Sequence, residues 1–184
     1  MKNRLMLNPG IRIFLFIALS IIVRNTLADE TRPCQKTLIP VISLDIELLG
    51  DTTVESMKKQ DEFLLNKYST ELRLRLTEKR VFTIIDDKES LTVINKAAEN
   101  QFLHRCNGCE LSLAKQLGAK QVVVPWVFRM SKLVQTMFVE LRDVETGVLL
   151  MRQSLDFRGN TEDGWDHVTN RMVEEIKSYV SKCH

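Results

Sequence analysis

The segment QVVVPWVF (121–128) is followed closely by two segments of the same kind, TMFVELRDV (136–144) and VLLMRQSLDF (148–157). Each is rich in β-branched and aromatic residues, and such runs predict strands. Glu145, Thr146 and Gly147 join the last two segments, and a glycine in so short a turn is typical of an antiparallel hairpin. The second half of the chain therefore predicts a meander of three strands on which the remaining elements must pack.

Upstream of this meander, strand and helix patterns alternate. LIPVISLDIEL (38–48) alternates apolar and polar residues and predicts one half-buried strand, and VFTIID (81–86) predicts a second strand. Between them, apolar residues recur at helical spacing as far as Lys79, which predicts an amphipathic helix. Asp51, Thr52 and Thr53 are the predicted start of that helix.

Three further helices complete the pattern. One is predicted from Ser90, with INKAAENQFL (94–103) carrying it toward two cysteines, and ELSLAKQL (110–117) predicts another that ends at Gly118. The last begins after Gly159, Asn160 and Thr161. The predicted order is β-α-β-α-α-β-β-β-α. This order predicts an α/β (α+β) fold, with a single mixed β-sheet of about five strands and helices packed on the sheet.

The amino terminus has the layout of a secretory signal peptide. Basic residues at Lys2, Arg4 and Arg12 precede the apolar run IFLFIALSIIV (13–23), and small residues lead to Ala28. The apolar run is shorter than the roughly 20 residues that span a bilayer. We therefore expect residues 1–28 to be cleaved after Ala28, leaving residues 29–184 as a single periplasmic domain without a stable membrane anchor.

Removal of the signal peptide changes the charge of the chain. The full chain has a formal net charge of +2, and residues 1–28 contain four of its 26 basic residues and none of its 24 acidic residues. The mature chain keeps 22 basic and 24 acidic residues, a formal net charge of −2. A weakly acidic domain without a cluster of Lys or Arg excludes nucleic acid as a partner.

The motif Cys106-Asn107-Gly108-Cys109 admits several interpretations. Covalent haem requires a histidine directly after the second cysteine, and Glu110 occupies that position. A zinc site needs two more ligands, and the spacing of the other cysteines and histidines does not match a known zinc pattern. The candidates for those ligands are His104, Cys34, Cys183 and His184. We therefore predict no metal.

Two interpretations of the cysteines remain open. In the first, Cys106 and Cys109 form a short structural disulfide, and Cys34 and Cys183 join the two ends of the chain. Four cysteines permit three connectivities, and the sequence does not choose among them. In the second, Cys106 is a nucleophile at the start of a helix and Cys109 resolves the mixed disulfide.

A second group of polar residues surrounds the start of the last helix. Its members are a candidate site for a ligand or partner, because free backbone donors at a helix start can hold an anion. They are Arg158, Asn160, Thr161, Asp163 and Trp165. The alternative is an ordinary helix cap. Glu162, Asp163 and Asp166 do not follow the calcium-loop pattern, and the chain lacks the motifs of phosphate loops, serine hydrolases and zinc peptidases. No cofactor is predicted.

Three motifs resemble a family of exported bacterial proteins classed as a domain of unknown function. They are CNGCELSLAKQLGA (106–119), LRDVETG (141–147) and SLDFRGNTEDGWDH (154–167). The order of elements is also similar to the amino-terminal domain of TolB and to the periplasmic domain of the curli secretion protein. The resemblance implies a periplasmic location and a mixed α/β fold, and no activity. Members are frequent in bacteria with quinoprotein alcohol dehydrogenases, which implies a link to a periplasmic oxidation pathway.

These observations lead to one functional hypothesis and one alternative. The hypothesis is a non-enzymatic periplasmic binding or accessory protein, whose partner is an unknown periplasmic protein or a small ligand. It depends on the signal peptide, the compact α/β pattern and the lack of a complete catalytic set. The alternative is a thiol-disulfide oxidoreductase that uses Cys106 and Cys109.

Overall fold

The computed structural model describes residues 38–99 and 101–182, in which six strands and four α-helices form a mixed α/β fold. The strands are β1 (Pro40–Ser43), β2 (Glu47–Gly50), β3 (Thr83–Ile84), β4 (Gln121–Arg129), β5 (Val134–Asp143) and β6 (Leu149–Arg158). The helices are α1 (Lys58–Glu78), α2 (Lys88–Ala98), α3 (Cys109–Gln116) and α4 (Glu162–Ser181). The predicted fold class is confirmed. The predicted signal peptide lies outside the described residues.

The strands form a single mixed sheet in the order β3-β1-β4-β5-β6, with β2 also pairing with β4. The pairs β1–β3, β1–β4 and β2–β4 are parallel, whereas β4, β5 and β6 form antiparallel pairs. The predicted meander and its hairpin are therefore confirmed. In the hairpin turn, the N–H of Thr146, aided by the Thr146 hydroxyl, holds the pKa of Asp143 below its ordinary value.

The single strand predicted at 38–48 is wrong, because the structure divides it into β1 and β2. Ser43 pairs with Val123 and Glu47 pairs with Trp126, so this segment has one more residue than the part of β4 it faces. A bulge accommodates the extra residue. Ser43, expected on a solvent face, is fully buried. Helices cover both faces of the sheet at this point, so an alternating pattern does not mark an exposed side.

Helix α1 provides the hydrogen bonds that the bulge lacks. Nη1 of Arg73 donates to the carbonyl oxygen of Ser43 at 3.2 Å and to Oδ1 of Asp45 at 2.7 Å. Oγ of Ser69 accepts a hydrogen bond from the backbone N–H of Ile46 at 2.8 Å. Buried backbone groups are nearly always paired, and here side chains of a helix replace a neighbouring strand.

The predicted start of the first helix at Asp51 to Thr53 is also wrong. The hydroxyl of Thr53 donates to Oδ1 of Asp51 at 3.0 Å, and a 3₁₀ turn (Glu55–Met57) leads into α1 at Lys58. The delay begins at Gly50, where φ is +86° and a Cβ would lie 2.2 Å from the carbonyl oxygen of Arg129. The chain must leave the sheet here before it can turn into a helix.

Helix α2 begins slightly earlier and ends earlier than the sequence predicts. The Asp87 side chain accepts a hydrogen bond from the N–H of Ser90 at 3.0 Å, and α2 ends at Ala98. The expected continuation to the cysteines is therefore wrong, because a separate 3₁₀ turn (Leu103–Arg105) precedes them. Strand β3 is shorter than VFTIID, and α3 lies within one residue of its predicted bounds.

Two apolar cores lie on opposite faces of the sheet. Side chains of α1 and α4 pack on the first face, against residues such as Val123, Met137 and Leu155. Side chains of α2 and α3 pack on the second face, against residues such as Val122 and Val124. On β6, residues of the first face are buried or half-buried and residues of the second face are exposed. The second face is therefore covered at β1 and β4, partly covered at β5 and exposed at β6.

A buried ion pair joins the elements around the first core. Arg129, at the end of β4, is 1% exposed, and its guanidinium binds both carboxylate oxygens of Asp61 in α1. Nδ2 of Asn160 donates to Oδ1 of Asp61 at 2.7 Å, and Nε1 of Trp165 donates to Oδ1 of Asn160 at 3.2 Å. The network connects β4, α1 and the start of α4.

The first prediction concerns this ion pair. Asp61→Ala leaves the Arg129 guanidinium buried without its counter-charge, so we expect the free energy of unfolding to fall by about 3–5 kcal/mol. Urea denaturation followed by far-UV circular dichroism measures the change. Glu62→Ala, at the next and exposed position of α1, is the matched control. Equal losses for the two variants would contradict the structural role of the pair.

The second prediction concerns the bulge between β1 and β2. Ser69→Ala removes the acceptor of the buried Ile46 N–H, which should lower the free energy of unfolding by about 1–3 kcal/mol. Thr70→Ala, at an exposed position of the same helix, should change it by less than about 0.5 kcal/mol. Hydrogen exchange at the Ile46 amide provides a local measurement. Unchanged protection in Ser69→Ala would show that the hydroxyl does not support the bulge.

Candidate functional site

The candidate site begins at the loop that contains the two cysteines. Cys106 and Cys109 are joined by a disulfide, with their Cα atoms 5.5 Å apart. Asn107 and Gly108 both have positive φ, +27° and +99°, and the glycine adopts this conformation without strain. Helix α3 begins at Cys109, so Cys109 lies in its first turn and Cys106 does not. The expected placement of Cys106 at a helix start is wrong.

A buried carboxylate holds this loop in place. Glu110 is 7% exposed, and its Oε2 accepts a hydrogen bond from the N–H of Gly108 at 3.1 Å. The same oxygen lies 3.5 Å from Sγ of Cys106. A cavity of about 400 Å³ adjoins the loop, and the Arg142 side chain from β5 lines it. Among the described residues, Cys106, Cys109 and Glu110 are the group whose ligand atoms lie within 4.8 Å of one another.

A second carboxylate fixes the segment before the cysteines. Oε1 of Glu47, in β2, accepts a hydrogen bond from the N–H of Leu103 at 2.6 Å, and its Oε2 accepts one from the N–H of His104 at 3.1 Å. Nδ1 of His104 contacts the same Oε2. Glu47 therefore determines where this segment meets the sheet, and it occupies a ring nitrogen of the histidine that the sequence offered as a zinc ligand.

Aromatic rings stack on the second face of the sheet beyond this segment. The ring of His104 stacks on Trp126 with centroids 5.5 Å apart, and Trp126 stacks on Phe138 at 5.1 Å with an interplanar angle of 6°. The Arg152 guanidinium lies 5.6 Å from the centroid of Trp126 and 5.9 Å from that of Phe138. The stack fixes the orientation of Trp126 at the boundary between the covered and open parts of the face.

Exposed apolar side chains extend this stack to the end of the β4–β5 hairpin. They are Phe128 (43% exposed), Met130 (67%), Leu133 (70%) and Val134 (38%). We call these four residues, together with Trp126 and Phe138, the aromatic face. Polar groups border it: Nη2 of Arg142 donates to Glu140 at 2.6 Å, and Oγ1 of Thr136 donates to Asp156 at 2.7 Å. Clustered exposed apolar surface with a polar border is typical of interaction sites.

The aromatic face was not predicted from the sequence. Trp126, Phe128 and Phe138 lie in segments that predict strands, whereas Met130, Leu133 and Val134 lie between those segments. A usable signal was present, because VPWVF (124–128) is apolar at consecutive positions, and a strand with one solvated face alternates. Glu47, Glu110 and Phe138 were missed because their partners lie on other elements.

The predicted ligand site at the start of α4 has a different geometry from the one expected. Thr161 caps the helix, since its Oγ1 accepts a hydrogen bond from the N–H of Gly164 at 3.3 Å. Asn160 belongs to the buried network with Trp165, which is fully buried, whereas Arg158 and Asp163 are exposed. The structure thus separates these residues into an internal and a surface group. A ligand at this position stays a prediction.

Tyr68 closes the same end of α4 from the neighbouring helix. Its hydroxyl donates to the carbonyl oxygen of Glu162 at 2.6 Å, and its ring stacks on Trp165 with centroids 5.7 Å apart. Burial raises the pKa of Tyr68. Cys34 and Cys183 lie outside the described residues, so the second disulfide also stays a prediction.

Solved structures with a similar fold come from several bacteria. Lipoprotein GNA1162 from Neisseria meningitidis aligns with a TM-score of 0.50 at 12% identity, covering 75% of this chain and 96% of that one. The LpoB carboxy-terminal domain from Salmonella enterica aligns at 0.49 and 11% identity, covering 66% and 85%. TolB from Acinetobacter baumannii aligns at 0.45 and 10% identity, covering 80% of this chain and 29% of that one. At these identities the likeness concerns the fold alone.

Other comparisons place the chain in a family without a known role. No curated protein matches the sequence. In the described part of the chain, every helix is too short or too polar to span a membrane. The family model described as "Protein of unknown function (DUF2380)" matches residues 40–176. The resemblance to an uncharacterised family is therefore confirmed, and the chain belongs to this family.

Proposed function

We propose that this chain is an exported, non-enzymatic accessory protein of the bacterial periplasm that binds another protein through the aromatic face. The observation that carries the proposal is the exposure of Phe128, Met130 and Leu133 in one hairpin, beside an ordered aromatic stack. Burying such side chains against a partner is worth about 25 cal/mol for each Å² of apolar surface. In the proposal, residues 1–28 direct export and residues 29–184 form the periplasmic domain.

The shape of the face favours a protein over a small ligand. Small molecules bind in concave pockets that enclose most of their surface. The aromatic face instead extends along the β4–β5 hairpin, from the half-buried Phe138 to the exposed loop at Met130 and Leu133. Its aromatic centre and charged border match the anatomy of protein interfaces, in which aromatic and Arg side chains supply most of the binding energy.

The rigidity of the face also supports the proposal. The Trp126 ring stacks on the rings of His104 and Phe138. The backbone N–H of His104 is in turn hydrogen-bonded to the Glu47 carboxylate. A side chain that is already ordered loses little conformational entropy when a partner binds. The family resemblance leads to a finer proposal, that the partner belongs to a periplasmic oxidation pathway. The identity of the protein that is captured by photo-crosslinking tests it.

The third prediction tests the partner surface inside cells. A photo-crosslinking amino acid at Leu133 should yield a discrete adduct with another envelope protein, and the same group at Ser178 should not. Ser178 is an exposed position of α4, the helix that packs on the opposite face of the sheet. Mass spectrometry of the adduct identifies the partner. Adducts at Ser178 and none at Leu133 would contradict the proposal.

The purified partner then permits a quantitative measurement. Leu133→Asp places a charge on the most exposed apolar side chain of the face. The dissociation constant should therefore rise about 30-fold or more, as expected for a residue worth about 2 kcal/mol. Ser178→Asp introduces the same charge on the opposite side and should leave affinity unchanged. Both variants should keep the unfolding midpoint of the parent chain. Equal affinity of the two variants would exclude the aromatic face.

The fourth prediction separates this function from thiol-disulfide exchange. A reactive cysteine typically lies at a helix start, and Cys106 lies outside the first turn of α3. We therefore expect a stable disulfide, with a reduction potential below about −300 mV in glutathione or dithiothreitol buffers. Mass-spectrometric mapping assigns the potential to this pair. A value between about −120 and −230 mV would support the oxidoreductase instead.

A further inference from the structure

We propose that Cys106, Cys109 and Glu110 form a binding site for a thiophilic divalent metal ion, of which Zn²⁺ is the type, in the dithiol form of the chain. The site is separate from the aromatic face, and it revises the expectation that the cysteines take no part in metal binding. That expectation depended on the lack of two further ligands at a recognised spacing. The structure supplies one of them, Glu110, from the position directly after the second cysteine.

The distances fit tetrahedral coordination. Zinc binds thiolate sulfur at about 2.3 Å and carboxylate oxygen at about 2.0–2.2 Å, so at a tetrahedral angle these two ligand atoms lie about 3.5 Å apart. Oε2 of Glu110 lies 3.5 Å from Sγ of Cys106. In the disulfide form, the carboxylate therefore lies at the distance from Cys106 that two ligands of one zinc ion require. In the dithiol form, Cys106 and Cys109 need only side-chain rotation to separate their sulfurs to about 3.8 Å, the tetrahedral spacing of two thiolates.

A metal site also needs neighbouring groups that orient its ligands and balance their charge, and the residues around the cysteines provide them. The Gly108 N–H donates to the same carboxylate oxygen at 3.1 Å and orients it. Two thiolates and a carboxylate carry a charge of −3, which a divalent ion reduces to −1. Arg142, which is paired with Glu140, lines the adjoining cavity of about 400 Å³ and places a cationic group near the remaining charge. The same cavity provides a route of entry and space for water as the fourth ligand.

The metal-bound and disulfide forms exclude each other. A phosphine or dithiol reductant breaks the S–S bond by supplying two electrons, and the sulfurs take up two protons. Binding of the metal ion then releases these two protons as the thiolates form. Oxidation restores the S–S bond, removes two electrons and frees the ion. The metal form therefore belongs to the chain before its cysteines are oxidised.

The test uses the purified chain with Cys34→Ser and Cys183→Ser, so that the two remaining thiols are those of the site. After reduction with a phosphine under anaerobic conditions, Cd²⁺ should produce ultraviolet thiolate-to-metal absorption that saturates at one ion per chain. Zn²⁺ affinity is then measured by competition with a chromophoric chelator. Glu110→Gln should weaken Zn²⁺ binding by at least about tenfold. Glu145→Gln, at an exposed turn position, should not change it.

A second measurement does not depend on affinity. Saturating Zn²⁺ should slow re-oxidation by oxidised glutathione in the Cys34→Ser, Cys183→Ser chain, and should slow it much less when Glu110→Gln is added. Circular dichroism confirms that each variant is folded. Equal Zn²⁺ affinity with and without Glu110→Gln, equal binding by the disulfide form, or no Cd²⁺ absorption after reduction would each overturn the proposal.

Discussion

The buried pair between Arg129 and Asp61 determines which face of β4 packs against α1. A guanidinium that is 1% exposed must be paired inside the protein, and Asp61 provides that partner from α1. Residues along a strand alternate between the two faces of a sheet. Because the Arg129 side chain points toward α1, the side chains of Phe128 and Trp126 point to the opposite face of the sheet. A slip of one residue in register would turn Trp126 and Phe128 toward α1 and would turn Arg129 away from Asp61.

Helices pack over only part of the second face of the sheet, and the candidate site lies at the edge of the covered part. Helices α2 and α3 pack over β1 and β4, whereas β5 is partly covered and β6 is exposed. The segment at 101–108 crosses this boundary, held by Glu47 on one side and by the disulfide on the other. A disulfide that closes so short a loop removes little entropy from the unfolded chain. The disulfide therefore acts locally, by fixing the shape of the loop that it closes.

The elements that could be predicted from the sequence are those in which local preference and tertiary environment agree. The β4–β6 meander combines β-branched residues with a glycine turn, and α4 combines a Thr161 cap with regular apolar spacing. The division of β1 from β2 could not be predicted, because the hydrogen bonds that stabilise the bulge come from Arg73 and Ser69, remote in sequence. The early end of α2 has a similar cause, since Glu47 draws the following backbone away from a helix.

The candidate site also combines features that local sequence predicts with features that depend on the fold. Cysteine spacing showed that Cys106 and Cys109 form a unit, but the role of Glu110 depends on how the loop folds back on α3. Glu47 holds the backbone at Leu103 and His104, ahead of the cysteines, and this contact does not involve either sulfur. The stack of His104 on Trp126 is therefore supported by a carboxylate and a sheet that remain in place whether the sulfurs are joined or bound to an ion. Binding at the aromatic face and chemistry at the cysteines thus have separate physical supports, and the failure of one proposal would leave the other intact.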